Sequence, residues 1–146
     1  MSLKGATAII GFGSSEIVRR SDRSITAFSL DAALAALKDA GIERDEIDGF
    51  VGAPWAPNAG AVNADGADEI SMVAFARAMG LNNLRYTADL YQGYSTDMVA
   101  TAAQALASGR CRYVLGLRAM YNVQGVSYGT GNAEPAFGNE QFTKPF

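Results

Sequence analysis

The spacing of apolar residues changes character several times along the chain, and each change marks an element. Residues 6–12 (ATAIIGF) form a short continuous apolar run closed by Gly13, which predicts a buried strand. From Ser24 to Ala40 the period turns helical. Phe28, Leu30, Ala33, Leu34, Leu37 and Ala40 recur near 3.6 residues, with Asp31, Lys38 and Asp39 off that face. Gly41 supplies the residue that can turn left-handed and stop the helix. Residues 47–53 (IDGFVGA) predict a second strand, weakened by two glycines. The stretch from Pro54 through Trp55 and Pro57 to Gly66 reads as a loop.

Three further elements follow. Residues 68–79 predict a helix with Ile70, Val73, Ala74 and Arg77 at helical spacing and Gly80 at its end. Residues 84–90 (LRYTADL) alternate as a half-buried or edge strand. Residues 95–108 predict a third helix, capped by Ser95 or Thr96 and closed by Gly109. Its alanines at 100, 102, 103, 105 and 107 suit close approach to another backbone. Residues 113–117 (YVLGL) complete the set as a fourth strand, and residues 121–146 are rich in Gly, Asn and aromatics without a period. Strands alternating with helices of about a dozen residues predict an α/β fold, a mostly parallel sheet covered by helices in the order βαβαβαβ. Crossovers in such a sheet are right-handed.

Bulk properties narrow the chemistry. With 146 residues and 49% hydrophobic content the chain is one domain's worth of sequence, enough for a single core. A net charge of −3 with dispersed basic residues argues against a nucleic-acid or anionic-membrane surface. No apolar run approaches the length of a membrane span, and no secretory leader opens the chain. The lone Cys111 forbids an internal disulfide and fits a reducing compartment. These features predict a soluble, cytoplasmic protein.

The absence of histidine excludes most. Without an imidazole, this chain alone cannot build a Ser-His-Asp or Cys-His site, nor the usual zinc and iron centres. The acidic residues do not follow calcium-loop spacing, so no metal site is expected. Gly11-Phe12-Gly13 follows a predicted strand but lacks the third glycine and the immediate helix of a dinucleotide fingerprint. It reads as a tight turn. Gly93-Tyr94-Ser95-Thr96-Asp97 has the outline of a nucleophile elbow with its last glycine replaced by Asp. Lacking a base to activate it, Ser95 reads as a helix cap. Cys111, between Arg110 and Arg112, precedes a strand, whereas sites in open α/β sheets form where strands end; it reads as structural. Trp55, Tyr91, Tyr94, Tyr121 and Tyr128 all fall in predicted loops or turns. As a group they suit the wall of an apolar ligand site, since Tyr has a flat face and a polar tip.

Two blocks carry a family resemblance over essentially the whole chain. They are A-x-x-A-L-x-D-A-G-I…I-D-G-F-V from Ala33 to Val51 and A-x-Q-A-L-A-S-G…Y-V-L-G-L-R-A from Ala102 to Ala119, with FGNEQFTKPF at the end. The pattern resembles the N-terminal half of the thiolase superfamily, nearest to its sterol-carrier, non-specific lipid-transfer branch. The resemblance implies a thiolase-like half, residues 1–146 as one N-terminal domain, normally paired with a second similar half. It implies a homodimer through residues 84–90. It also implies a coenzyme A thioester as substrate, with no bound cofactor.

In that family the turn before the third helix carries the acyl-accepting cysteine. Here Gln92 stands at that position, followed by Gly93, Tyr94 and Ser95. Some members without the cysteine are aldolases that cleave acyl-CoA side chains of steroids, using tyrosines and a partner with an OB-like domain. The resemblance therefore implies Gln92, Tyr91 and Tyr94 as catalytic residues, and Gly93, Ser95 and Tyr121 as substrate-binding ones. The alternative expectation is a non-catalytic lipid-transfer or assembly module that needs a second half or a heteromeric partner.

Overall fold

The computed structural model describes residues 4–18, 21–55, 72–90 and 95–120. Helix α1 (Ile25–Ala40) starts where Ser24, in extended backbone, accepts a hydrogen bond from the Ala27 amide. It stops at Gly41, whose φ of 67° is left-handed and whose N–H closes onto the carbonyls of Leu37 and Lys38. A short 3-10 turn (Arg44–Glu46) leads into strand β1 (Gly49–Trp55). Helix α2 (Met72–Met79), strand β2 (Tyr86–Asp89), helix α3 (Ser95–Ala107) and strand β3 (Val114–Met120) complete the order.

The described strands form one sheet in the order β2-β1-β3, and both pairings are parallel. Strand β1 is central, so each crossover must carry the chain over a face of the sheet. Alternation along β1 then sorts the two faces. Phe50 and its neighbours Leu115 and Leu117 face α1 and α2, where they join Ala33, Leu37, Phe75 and Met79 in the main core. The Phe50 and Phe75 rings meet at 5.2 Å between centroids. Val51, fully buried, faces the other way, the side that α3 covers. The fold is α/β, a parallel sheet between two helical layers.

Several sequence expectations need correction. Residues 6–12 form no strand and join no ladder of the described sheet. They lie instead across α1. A Cβ at Gly11 would stand 2.6 Å from the Ala36 carbonyl oxygen, and one at Gly13 would strike the Ala32 carbonyl. The two glycines thus permit a close approach to the row Ala32, Ala36, Ala40, and are not a turn. The Phe12 amide donates to Asp39 Oδ2 at 2.9 Å, while the Ile9 and Phe12 side chains stay 78% and 75% exposed. In α1 the buried stripe is Ser29, Ala33, Leu37, and Leu34 sits at its rim facing water. In α2 the core takes Met72, Phe75 and Met79, which leaves Val73 and Arg77 outside.

Pro54 and Trp55 belong to β1 and not to a loop. The reason is directional. The Gly52 carbonyl accepts from the Leu90 amide, so Gly52 and, two residues on, Pro54 turn their backbone polar groups toward β2. Strand β2 has already ended at Asp89. The missing proline N–H therefore costs the sheet no bond.

Candidate functional site

The parallel strands all end on the same side, with Trp55, Asp89 and Met120 as their last residues. In open α/β sheets this is where ligands bind. The expected site residues Tyr91, Gln92, Gly93 and Tyr94 follow β2 in the chain, and Tyr121 follows β3. All five, and Tyr128, lie outside the described residues. Ser95 lies inside them. It is the first residue of α3 and exposed, so the helix includes Ser95 and Thr96 where a cap had been expected to precede it.

Ser95 has a partner that pattern reading did not find. Arg118, on β3, donates from Nη1 to Ser95 Oγ at 3.2 Å. The packing beneath explains how the two meet. Arg118 and Gly116 share a face of β3, and a Cβ on Gly116 would stand 3.2 Å from the Met98 side chain of α3. Two residues along a strand advance about 6.6 Å, and three along a helix about 4.5 Å, so the step from Met98 to Ser95 roughly tracks the step from Gly116 to Arg118. The G-L-R of YVLGLRA thus has a local meaning: a gap for a methionine, then a guanidinium at the helix start. Asp97 adds an acidic side chain to the first turn of α3, as the positive end of a helix dipole favours.

The amino end of the sheet is built differently. Asp48 Oδ1 accepts from the amides of Arg112 and Tyr113, at 2.8 and 2.9 Å. Its backbone carbonyl accepts from Arg85 and Tyr86, so one residue links the three described strands. Cys111 is buried here, packed where Gly49 lacks a side chain. Burial pushes its thiol pKa up, the Asp48 carboxylate adds to that, and Arg85 opposes it. The thiol is held protonated, as suits a structural residue.

A shallow groove of about 270 Å³ runs between α2 and β2, lined by Phe50, Met72, Ala76, Leu81 and Leu84 with Arg77 at its side. It opens on the α1 and α2 face, the opposite face from Arg118. Among the described residues, no group of three or more His, Cys, Asp or Glu could hold a metal ion, and no helix is long and apolar enough to cross a membrane.

No family model matches the chain. It is 35% identical over 133 residues to a steroid side-chain-cleaving aldolase of Thermomonospora curvata, covering 90% of this chain and 31% of that protein. To the 17-hydroxy-3-oxo-4-pregnene-20-carboxyl-CoA lyase of Mycobacterium tuberculosis it is 28% identical, covering 98% of this chain and 36% of that one. The chain thus spans about a third of the length of these relatives. Among solved structures, the Ltp2-ChsH2(DUF35) aldolase superposes with a TM-score of 0.65 at 30% identity, over 86% of this chain and 30% of that one. The priming β-ketosynthase of the R1128 polyketide pathway superposes with a TM-score of 0.52 at 26% identity, over 69% and 28%. The structural neighbours carry the fold that the A-L-x-D-A-G-I and Y-V-L-G-L-R-A blocks suggested, and the chain is thiolase-like.

Proposed function

We propose that this chain is the N-terminal part of a thiolase-like aldolase that cleaves a carbon–carbon bond in the side chain of a steroid or related lipid carried as a coenzyme A thioester. The observation that carries the reading is the 35% identity, over nine-tenths of the chain, to a steroid side-chain-cleaving aldolase. The sequence ahead of α3 supports it, because Gln92 stands where the family's cysteine would be and the chain has no histidine. A retro-aldol step needs neither. A base removes the proton of the β-hydroxyl, and that carbon becomes a carbonyl as the Cα–Cβ bond breaks. The electron pair passes into the thioester as an enolate, and the α-carbon then takes up a proton. Tyr91 or Tyr94 would handle the protons, Gln92 and the amides at the start of α3 would hold the enolate oxygen, and Gly93, Ser95 and Tyr121 would line the substrate's path.

The matching experiment pairs the full-length protein with an OB-like partner and supplies a 17-hydroxy steroid 20-carboxyl-CoA. The expected products are a 17-ketosteroid and a shortened acyl-CoA. Thioester hydrolysis as the sole reaction, or an acyl adduct on this chain by intact mass, would count against the reading.

Partner requirement is part of the same proposal, supported by the likeness to the Ltp2-ChsH2(DUF35) aldolase. A second copy would add to the outer edge of β2. Tyr86 and Leu90 donate inward to β1, so the Thr87 N–H alternates outward. Thr87→Pro should lower the dimer fraction in light scattering without unfolding the protomer; an unchanged dimer would remove this edge from the assembly.

A further inference from the structure

We infer that Arg118 is a positioning residue for the site at the carboxyl ends of the strands, an inference that rests on the aldolase reading for its catalytic consequence. Arg118 reaches from β3 to the first residue of α3 and bonds Ser95 Oγ at 3.2 Å. No packing requirement explains a guanidinium there. The position is exposed, and the neighbouring contact between α3 and β3 is already made by Met98 over Gly116. What the bond does accomplish is geometric. The chain enters α3 through Ser95, directly after Gln92, Gly93 and Tyr94. Tying the Ser95 hydroxyl to the central sheet fixes that entry point, and with it the first-turn amides of α3, relative to β3. A misplacement of about 1 Å at a reacting centre costs on the order of a hundredfold in rate.

The test uses the full-length protein with its partner and the variants Arg118→Gln, Arg118→Lys, Ser95→Ala and the double Arg118→Gln/Ser95→Ala. Hydrogen exchange is followed at the amides of Asp97, Met98 and Val99, with α1 as internal reference. Arg118→Gln and Ser95→Ala should each raise first-turn exchange about tenfold, with α1 unchanged, and the double variant should go no further than either alone. Lys, which keeps one charged donor, should restore part of the protection. In the cleavage assay kcat should fall at least about tenfold in Arg118→Gln while KM stays within about twofold. Additive effects in the double variant, or unchanged first-turn exchange in Arg118→Gln, would overturn the inference. So would a loss that falls on KM alone. If the wild type cleaves no steroid thioester, the aldolase reading fails while the exchange data still decide the role of Arg118.

Discussion

Asp48 and Tyr113 bond each other reciprocally: the Tyr113 amide donates to Asp48 Oδ1 at 2.9 Å, and the Asp48 amide donates to the Tyr113 carbonyl at 3.2 Å. The same carboxylate oxygen also takes the Arg112 amide. Replacing Asp48 by Ala strands two backbone donors at the start of β3. A hydrogen bond to a charged group contributes about 1.5–3 kcal/mol, so Asp48→Ala should lose about 3 kcal/mol in urea unfolding with an unchanged m-value. Asp48→Asn, which keeps an acceptor, should lose about half of that.

Gly49 and Gly116 should respond oppositely to a methyl group. At Gly49 the new Cβ would stand 2.8 Å from Val114 Cγ2 and 2.9 Å from Cys111 Sγ, atoms held within the sheet. Overpacking of that kind costs about 1–3 kcal/mol. At Gly116 the nearest atoms are the Met98 tip, 3.2 Å away and able to swing. Gly116→Ala should be neutral, or stabilising by up to about 1 kcal/mol through the unfolded chain. Thermal melts of the two variants provide the comparison.

The raised pKa of Cys111 has a defined sign. Folding disfavours the thiolate, so the contribution to stability is complete below the ordinary thiol pKa, about 8.5. It is lost as pH climbs from there through the raised folded value. The wild type should therefore weaken more steeply than Cys111→Ala above that point. Below it, the native thiol should react with a disulfide reagent at least about tenfold slower than in urea. Equal rates would show the thiol to be accessible.

At the start of α1, Ser24 Oγ accepts the Ala27 amide at 3.1 Å. Loss of such a cap costs about 1 kcal/mol, and Ser24→Ala should show it in chemical denaturation. Ser24→Asp should retain nearly all of the stability, because it keeps the acceptor and favours the helix dipole.

Helix α1 was readable to within a residue because its apolar period and its glycine stop are local signals. The parallel α/β class was readable from the alternation of periods. The placement of residues 6–12 was not. An apolar run reports a wish for burial without naming its partner, and here Gly11 and Gly13 dock it on the alanines of α1. Pro54 misled for a related reason: its tolerance in β1 depends on where β2 ends, a fact of the neighbour. Val73 was expected on the core face of α2, yet the stripe is carried by Met72, Phe75 and Met79. Of the expected site residues, Ser95 lies within the described residues, and its partner Arg118 is 23 positions away. An arginine inside a strand motif carries no sign of which helix terminus it will reach.

The central place of β1 bears on how the chain folds. Neither neighbour of β1 can reach it by a hairpin, and the Asp48–Tyr113 pair closes a span of 65 positions. Closing long spans is an entropic cost met before any ladder bond is gained. Helical signal should therefore appear in stopped-flow dichroism before the sheet is protected from exchange. The refolding rate should be set by the meeting of β1 with β3, the last of its partners to leave a ribosome.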